Sequence, residues 1–372
     1  MIKVVNVISD TNIGGAGKCV LTFLKHYDKS KIDLTIVVTK NSLLIPEIQQ
    51  LGGAYIETDG ISDKSLSKQG IGNLKKIFKQ IKPDIVHSHG CMSARIAARF
   101  YGKCKIIYTR HSVFEPSPKI SKGIGKIING FVNNKTADRI IAVAEAAKDN
   151  LTATGVSEEK IIVIQNGVQP LCEISDEQKK VLRANYNVCD DEFLIGIVAR
   201  LNEVKGHVYL LEALKMLRDE GIKVKLLIAG TGDYEKNIRE KISELGIVHD
   251  VIMAGFITDV TGIMNILDAN MNASFGTEAT SLSLLEGMSI GVPAIVCDFG
   301  GNPGVVTHGE NGLIFETKNA NDLYEKLKLF LSDEALRQSM RYKSKKIFDS
   351  KFTAQKNTLD IQDVYFSVLE GK

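Results

Sequence analysis

Short apolar runs and amphipathic segments alternate along the whole chain. The runs are rich in Val and Ile and lack regular polar alternation, which is typical of strands covered on both faces of a parallel sheet. The segments between them repeat apolar residues with helical spacing, as in HVYLLEALKML and YEKNIREKISEL. This alternation predicts an α/β fold of doubly wound parallel sheets. The predicted strands are VVNVI, LTIVVT, AYIET, DIVHSH, KIIYTR, RIIAVA and KIIVIQN, followed by LIGIVARL, KVKLLIAG, VIMAGF, ANMNASF and PAIVCDF.

The pattern restarts once, after the stretch QNGVQPLCEIS. Gly167 and Pro170 interrupt the chain there, and 372 residues with 44% hydrophobic content are enough for two cores. We therefore predict a linker near 168–175 between two Rossmann-like domains that face each other. Such domains bind ligands at the carboxyl ends of their strands, so function is expected in the cleft between them. The predicted bounds are 1–170, 171–350 and, for a carboxy-terminal helical segment, 351–372.

Charge is divided unevenly between the two halves. Residues 1–170 contain 24 Lys and Arg against 14 Asp and Glu, whereas residues 171–372 contain 23 against 30. The basic first half favours an anionic acceptor or a lipid surface as its partner. Nucleic acid is not predicted, because the basic positions lack an aromatic-rich stacking surface and a reading helix.

The chain shows no targeting, membrane-spanning or metal-binding pattern. No apolar run approaches the roughly 18 residues of a membrane span, and Met1 leads directly into a strand, which predicts a cytoplasmic protein. The six cysteines are scattered without CxxC spacing, so we expect free thiols and neither a disulfide nor a zinc site.

A glycine cluster, SDTNIGGAGKCV, lies between the first strand and the first helix. A P-loop is excluded because Cys19 stands where a hydroxyl residue must follow the lysine, and a dinucleotide fingerprint because Val20 replaces its third glycine. Two interpretations remain. The backbone N–H groups at Gly14, Gly15 and Gly17 bind an anion at the helix N-terminus, or these glycines serve a tight turn that needs positive φ.

Two cations follow the first strand of the second domain. In GIVARLNEVKGHVYLLEAL, Arg200 comes just after the strand and Lys205 lies at the start of the next helix. A bidentate guanidinium, an ammonium and a positive helix end together form a receptor for a diphosphate, and they stabilise a phosphate that departs. Taken singly, each residue is better explained as an ordinary solvated surface charge, the usual state of Lys and Arg.

Two glutamates stand eight residues apart in FGTEATSLSLLEGMSIGVP. We expect Glu278 to end a loop and a helix to begin near Ser281, with Glu286 a turn or more along it. Carboxylates that accept from sugar hydroxyls recognise a polyol selectively. The alternative, an acid favoured by the helix dipole, accounts well for Glu278 and poorly for Glu286. The N–H groups expected to face the same anion are those of Ala279, Thr280, Ser281 and Leu282.

The ordered set of motifs resembles a known enzyme family. GGAG, PDIVHSHG, IIYTRHS, RIIAVAEAAKDNL and IQNGV are followed by ARLNEVKG, IAGTGDYE, MAGFITDV, the two glutamates and GVPAIVCDFGGNPGVVTHGENGLIF, which is the family's order. Over nearly its whole length the chain is similar to the retaining glycosyltransferases of family 4, which have the GT-B fold. The resemblance implies an acceptor-binding first domain and a sugar-nucleotide-binding second domain. It also implies that the last helix, after about Phe352, crosses back to the first domain.

The resemblance implies roles for individual residues. Arg200 and Lys205 would bind the donor's diphosphate. Glu286 would bind the ribose hydroxyls and Glu278 the transferred sugar, while His111, in YTRHS, would face the anomeric carbon and the acceptor. The remaining positions are Gly230, Gly232 and Phe256 around the nucleoside, Gly14 and Gly15 over the phosphates, and His87 and His89 as pocket lining.

The reaction implied is sugar transfer with retention at the anomeric carbon, in which the departing phosphate oxygen takes the acceptor's proton. Arg200 and Lys205 would replace a metal ion, so we expect neither a metal nor a cofactor. The expected donor is a UDP-sugar and the expected acceptor a glycan or lipid-linked molecule, in cell-surface polysaccharide synthesis. A GDP-sugar donor, a UDP-sugar 2-epimerase and a non-catalytic sugar-nucleotide-binding subunit remain as alternatives. The chain departs from the family's pattern at Ala144, Gln169, Ala279 and Gly304, which leaves the donor sugar open.

One basic segment, PKISKGIGKIINGFVNNK, has apolar residues at helical spacing and lysines on its other faces. It could lie on an anionic membrane, at the inner face of the cell membrane, or receive a lipid diphosphate. Alternatively it is an amphipathic helix that covers its own domain's core, the commoner use of such a helix. The apolar positions are Ile120, Ile124, Ile127, Ile128 and Phe131, and the lysines are Lys119, Lys122, Lys126 and Lys135.

Overall fold

A computed structural model of the protein describes residues 1–61 and 66–371. The chain divides into two compact units. The first unit combines Met1–Gly167 with Ala354–Lys372, and the second unit is Val168–Thr353. These divisions fall three residues away from the predicted bounds at 170 and 350. Among the described residues, no helix combines the length and the apolar character that crossing a bilayer requires.

The first unit is built on a seven-stranded parallel sheet. Its strands are β1 (Ile2–Ile8), β2 (Ile32–Thr39), β3 (Ala54–Thr58), β4 (Ile85–His89), β5 (Lys105–Arg110), β6 (Arg139–Ala142) and β7 (Ile161–Val163). The helices between them are α1 (Gly15–His26), α2 (Leu44–Gln50), α3 (Lys68–Ile81), α4 (Met92–Tyr101), α5 (Pro118–Ser121), α6 (Gly123–Thr136) and α7 (Glu145–Ala153). The strand order across the sheet is β3-β2-β1-β4-β5-β6-β7.

Strand β1 shows why the apolar runs lack alternation. Val4 and Ile8 belong to a cluster of buried side chains that α1 and α2 complete. Val5 and Val7 belong to a different cluster, on the side covered by α3 and α4. Since helices shield both faces of the sheet from water, the strand is apolar at successive positions.

The second unit is built on a six-stranded parallel sheet with the order β10-β9-β8-β11-β12-β13. Its strands are β8 (Phe193–Val198), β9 (Val224–Ala229), β10 (Val251–Gly255), β11 (Ala269–Asn272), β12 (Ala294–Cys297) and β13 (Gly312–Phe315). Its helices are α8 (Asp176–Asn185), α9 (His207–Asp219), α10 (Glu235–Glu244), α11 (Thr261–Ile266), α12 (Leu282–Met288), α13 (Asn302–Val305), α14 (Ala320–Ser332) and α15 (Glu334–Lys351). All the predicted strands are present, and the two sheets confirm the predicted fold class. The sequence pattern missed β13, because the four residues GLIF are too few to show a period.

The last helix, α16 (Ala354–Glu370), belongs to the first unit. The Tyr365 ring is fully buried and meets the Phe23 ring of α1 edge to face, with 5.5 Å between the centroids. Asn357 Nδ2 donates to the Gln165 carbonyl at 2.8 Å. The chain therefore enters the second unit at Val168 and returns to the first at Ala354.

Helix α6 faces the opposite way from a helix that covers its own core. Its buried residues are small or polar: Gly130, Asn133 and Thr136. Buried Arg95 explains this, because its Nη2 donates to Asn133 Oδ1 at 2.9 Å and to Thr136 Oγ1 at 2.7 Å. The interpretation of this segment as a helix that covers its own core is therefore wrong. The residues left 58–75% exposed are Ile124, Ile127, Ile128 and Phe131.

In each sheet the chain reverses its direction of progress once. The reversal lies between β1 and β4 in the first sheet and between β8 and β11 in the second. Loops diverge at such a point and leave a crevice at the carboxyl ends of the strands, which is where doubly wound folds bind ligands. In the second unit the loop after β8 carries Arg200 and Lys205, and the loop after β11 carries Glu278.

Candidate active site

The loop after β8 carries Arg200 and Lys205. Arg200 is exposed, two residues beyond the end of the strand. The chain then makes a 3₁₀ turn, Glu203–Lys205, so that Lys205 precedes α9 instead of lying in its first turn. Gly206 follows with a φ of +70°, and a Cβ there would lie 2.2 Å from the Ala273 carbonyl oxygen. Glycine at this position therefore lets the β8 loop lie directly against the chain that leaves β11.

Three polar side chains of this region donate hydrogen bonds to Glu278. It is 6% exposed. Its Oε2 accepts hydrogen bonds from Lys205 Nζ at 2.8 Å, Ser274 Oγ at 2.9 Å and Asn272 Nδ2 at 3.2 Å. Because the side chains of the ion pair are 19% and 8% exposed, their attraction is screened less than that of a surface pair. The Lys205 ammonium is thus held in one place at the reversal point of the second sheet.

Backbone hydrogen bonds fasten the loops around this pair. The Leu201 N–H donates to the Thr231 carbonyl at 2.9 Å, which joins the loops after β8 and β9. The Phe275 N–H donates to the Val204 carbonyl at 2.9 Å, which joins the loops after β8 and β11. A site whose supporting backbone is fixed in this way does not need to reorganise when charge develops in it.

Gly230 and Gly232 follow β9 and pack against the β8 loop. A Cβ on Gly230 would lie 1.9 Å from the Ala199 carbonyl oxygen, and one on Gly232 would lie 2.1 Å from that of Leu201. These contacts explain both glycines by packing alone. Their place beside a nucleoside stays a prediction, as does that of Phe256, which is 73% exposed directly after β10.

Gly230→Ala is expected to lower the free energy of unfolding by about 2–4 kcal/mol and to impair any activity that needs Arg200. Residue 230 has a φ of +145°, and the added methyl group must push the β8 loop away. Gly221→Ala is the matched control, because its φ is +76° but nothing lies within 4 Å of its Cβ position. Denaturant unfolding of both variants measures the difference, and equal losses would contradict the packing role of Gly230.

The helix predicted near Ser281 is α12 (Leu282–Met288), and Ser281 is its N-cap. Ala279 and Thr280, which precede it, are buried. Glu286 is partly exposed and occupies the fifth position of the helix. The structure therefore confirms where these residues lie in the fold, and their contacts with a donor stay predictions.

The opening glycine cluster forms the start of α1. Gly14 is the N-cap with a φ of −89°, and Gly15 and Gly17 also lie outside the positive-φ region. The interpretation of these glycines as a turn with positive φ is therefore wrong. Gly17 is explained by packing, because a Cβ there would lie 2.9 Å from the Leu44 side chain. No side chain caps this helix N-terminus, and anion binding by Gly14 and Gly15 stays a prediction.

Three histidines line a small cavity in the first unit. The cavity has a volume of about 20 Å³, enough for one water molecule. His87 and His89 come from the end of β4, and His111 follows β5 directly. These strands adjoin the point where the chain reverses across the first sheet, which explains how residues from separate loops meet.

Hydrogen bonds fix the tautomer of His87. The Tyr365 hydroxyl donates to Asn6 Oδ1 at 3.3 Å, so its oxygen accepts from His87 Nδ1 at 2.7 Å. His87 Nε2 then accepts from Thr109 Oγ1, also at 2.7 Å. Burial lowers the pKa of His87 to about 3, with a smaller contribution from His111, so the imidazole is neutral near pH 7. Helix α16 thus anchors the histidine cluster through Tyr365.

His111 pairs with His89. His89 Nδ1 and His111 Nε2 lie 2.9 Å apart, and the two rings stack. Burial lowers the pKa of His111 to about 4, and burial together with the two neighbouring histidines lowers the pKa of His89 well below its usual value. Both rings are therefore neutral near pH 7, and one nitrogen of the pair donates while the other accepts. Within the described residues, the buried atoms His111 Nδ1 and His89 Nε2 have no hydrogen-bond partner, so both are available to a ligand.

A fourth histidine, His207, lies beside the Lys205 loop. It is the first residue of α9 and is 1% exposed. Burial and, to a smaller extent, the Lys205 charge lower its pKa to about 4. Neither ring nitrogen has a hydrogen-bond partner among the described residues. The imidazole is therefore neutral near pH 7 and packs as an apolar ring would.

The structure brings some predicted residues together and reveals others. Lys205 and Glu278 meet directly, whereas Arg200 takes no part in their hydrogen bonds. Sequence reasoning missed Asn272 and Ser274, although polar residues at the end of β11 were a usable signal. Tyr365 gave no such signal, because 278 residues separate it from His87.

The potential metal ligands and the cysteines of the described part of the chain form no metal-binding cluster. The ranges 1–61 and 66–371 contain no group of three or more His, Cys, Asp or Glu side chains placed to hold a metal ion. The six cysteines are free thiols. Metal independence of the activity stays a prediction.

Comparison with family models decides the family. Residues 178–347 match the model for glycosyl transferases group 1, and residues 13–170 match the model for glycosyltransferase family 4. The chain belongs to the family 4 glycosyltransferases. The resemblance drawn from the ordered motifs is therefore confirmed, and with it a glycosyltransferase activity.

Individual relatives of this family 4 glycosyltransferase are distant. An uncharacterized glycosyltransferase of Methanocaldococcus jannaschii is 26% identical over 301 residues, which cover 78% of this chain and 76% of the relative. The UDP-Gal:alpha-D-GlcNAc-diphosphoundecaprenol alpha-1,3-galactosyltransferase of Escherichia coli is 24% identical, with 100% of this chain and 98% of the relative covered. The crystal structure of Anabaena HepE in complex with UDP and glucose aligns with a TM-score of 0.85 at 20% identity, covering 99% of this chain and 100% of HepE. That structural match confirms the GT-B fold.

Proposed function

We propose that this family 4 glycosyltransferase moves a sugar from a UDP-sugar to a glycan or lipid-linked acceptor, with retention at the anomeric carbon. A role in cell-surface polysaccharide synthesis, at the inner face of the cell membrane, fits such an acceptor. The proposal includes no resident cofactor and no metal requirement. The names of the Escherichia coli relative and of the HepE complex, both of which include UDP, support a uridine donor.

One observation carries the proposal: the Lys205 ammonium is fixed 2.8 Å from a buried carboxylate at the reversal point of the second sheet. A diphosphate placed there would meet Lys205 together with the guanidinium of Arg200, which is exposed on the same loop. Charge-assisted hydrogen bonds of this kind strengthen as a sugar departs and its former phosphate gains charge. Glu278 would accept from the sugar hydroxyls beside the phosphate.

Retention would follow from attack on the same face that the phosphate leaves. The new bond joins the acceptor oxygen to the anomeric carbon, the bond to the diphosphate oxygen breaks, and that oxygen takes the acceptor's proton. His111 is neutral near pH 7 because burial lowers its pKa, so its Nδ1 can carry a proton and donate to a sugar oxygen without adding charge. Glu278 already accepts three hydrogen bonds, which favours a binding role over that of a covalent nucleophile.

A ligand screen followed by product analysis tests the donor and the stereochemistry. UDP-sugars are expected to raise the melting temperature, because a ligand that binds the folded state stabilises it, while GDP- and ADP-sugars are expected to raise it less. Proton NMR of the product formed from an α-linked donor is expected to show an α-linkage, with or without a chelator present. A larger rise in melting temperature with GDP-sugars would assign a GDP-sugar as the donor instead. A product with inverted stereochemistry would contradict front-face attack.

The products formed from the UDP-sugar distinguish the competing functions. A 2-epimerase converts a UDP-sugar to its 2-epimer without any acceptor, and a non-catalytic subunit binds the donor without consuming it. This glycosyltransferase is expected to release UDP in proportion to the glycosylated acceptor formed. Consumption of the donor with the appearance of a 2-epimer would overturn the proposal.

A further inference from the structure

Helix α6 presents an apolar stripe to solvent. The α6 stripe consists of Ile124, Ile127, Ile128 and Phe131, which are 75%, 70%, 58% and 63% exposed. Residues spaced by three, four and seven positions lie on one side of a helix, so these side chains form one continuous surface. A contiguous exposed apolar patch of this kind marks a surface that meets another apolar phase.

The inward side of α6 is locked, so the stripe cannot rotate into the unit. A Cβ on Gly130 would lie 2.1 Å from the Gly155 carbonyl oxygen, which shows how closely the two backbones approach. Asn129 Nδ2 donates to the Thr154 carbonyl at 2.7 Å, and Asn133 and Thr136 accept hydrogen bonds from Nη2 of buried Arg95. Turning the helix would leave these buried polar groups without partners, at a free-energy cost.

Lysines stand at both ends of the stripe. Between Glu115 and Asp138 the sequence contains no acidic residue. Lys119 and Lys122 precede α6, and Lys135 lies one turn beyond Phe131 on the same side of the helix. These three lysines have no ion-pair partner among the described residues. Lys126 lies on the inward side of α6, where its side chain adjoins Gly155. An apolar stripe with unpaired lysines at both ends combines the two attractions that hold a helix in the interface of an anionic bilayer.

We propose that α5 and α6 dock on an anionic lipid surface, with the α6 stripe among the upper acyl chains and the lysines against lipid phosphates. Charge decides between this occupant and a second copy of the chain. In a two-fold contact between copies the same patch would face itself, so the lysines would repel one another. An anionic surface attracts every one of them. No residue of this surface belongs to the histidine cluster or to the Lys205 loop, so the docking surface is tested independently of the proposed reaction.

Vesicle flotation of the whole protein tests the docking surface. We expect flotation with phosphatidylcholine vesicles that contain phosphatidylglycerol, little flotation with phosphatidylcholine alone, and loss of binding as salt is raised. Ile127→Ser/Phe131→Ser is expected to weaken vesicle binding at least about tenfold, and because both residues are exposed it leaves the fold intact. Val248→Ser is the matched control, since Val248 is 57% exposed in the second unit and should leave binding unchanged.

A fluorescence reporter tests insertion directly. The chain contains no tryptophan, so Phe131→Trp introduces a single emitter into the α6 stripe. Its emission is expected to shift to the blue, and its quenching by iodide to fall, when anionic vesicles are added. Val248→Trp should show neither change. Absence of the blue shift at residue 131 would overturn insertion even where the protein floats.

The remaining outcomes also decide the proposal. A wild-type protein that does not bind anionic vesicles, or one that binds them as well after Ile127→Ser/Phe131→Ser, would overturn it. So would light scattering that shows a dimer in the wild type and a monomer in that variant, because the stripe would then belong to a contact between copies. Sugar transfer to a soluble acceptor should be unchanged in the same variant, which separates this surface from the proposed reaction.

Discussion

Lys205→Ala is expected to lower kcat/KM for sugar transfer about 100-fold to 1,000-fold. The substitution removes the ammonium that is 2.8 Å from Glu278, and with it the positive charge placed to meet a departing phosphate. It also leaves a carboxylate that is 6% exposed with neutral partners alone, so that its negative charge would repel a diphosphate. Steady-state kinetics with a saturating acceptor measures the loss.

Two comparison variants make the Lys205 result specific. Lys236→Ala removes a lysine whose side chain is 85% exposed on α10, and it is expected to leave kcat/KM unchanged. In the double variant Lys205→Ala/Glu278→Ala, kcat/KM is expected to fall by a smaller factor than the product of the two single-variant factors, because residues in direct contact act as a unit. Full activity in Lys205→Ala, with a normal fold, would contradict the role of this pair.

Acidification is expected to destabilise the protein steeply between about pH 6.5 and about pH 4. Burial lowers the pKa of His87 to about 3 and that of His207 to about 4, whereas an unfolded histidine titrates near pH 6.5. As the pH falls, the unfolded chain therefore binds protons at these histidines that the folded chain does not bind. The contribution of these neutral histidines to the free energy of unfolding is complete above about pH 6.5. Below about pH 6.5, each such histidine lowers the free energy of unfolding by up to about 1.4 kcal/mol per pH unit.

The His207 contribution can be isolated, because neither of its ring nitrogens has a hydrogen-bond partner among the described residues. His207→Leu is expected to reduce the acid slope of the second unit's unfolding free energy by about 1.4 kcal/mol per pH unit. His249→Gln is the comparison variant, since it removes an exposed histidine of the same unit. Urea unfolding across this pH range measures both slopes. An unchanged slope in His207→Leu would show that the folded protein protonates His207 as readily as the unfolded chain.

The fold followed from the sequence wherever local pattern and burial agree. Val4 and Val5 point to opposite faces of β1, yet both are apolar because helices cover both faces, and this predicted a parallel sheet from one short run. Strand β13 was missed because it is short, and the start of α9 was placed too early because a 3₁₀ turn precedes it.

The orientation of α6 could not be predicted from its periodicity. Apolar spacing shows which side of a helix is apolar, but not whether that side meets the core or the solvent. Buried Arg95 and the close approach of Gly155 decide the question, and both lie far from α6 in the sequence. Long-range partners of this kind leave no local signal.

The candidate site was predictable residue by residue but not in its pairing. Motif position singled out Lys205 and Glu278, yet 73 residues separate them, and no local pattern shows that they form an ion pair. The links from Tyr365 to His87 and from His89 to His111 likewise depend on tertiary structure. These contacts determine which side chains are fixed before a ligand arrives.

A crystal structure of the protein with UDP tests most directly whether the second unit binds a nucleotide's diphosphate. The account predicts diphosphate oxygens within hydrogen-bond distance of Lys205 Nζ and of the Arg200 guanidinium, with Glu278 still beside Lys205. A nucleotide bound elsewhere, or both cations turned away from its phosphates, would contradict it.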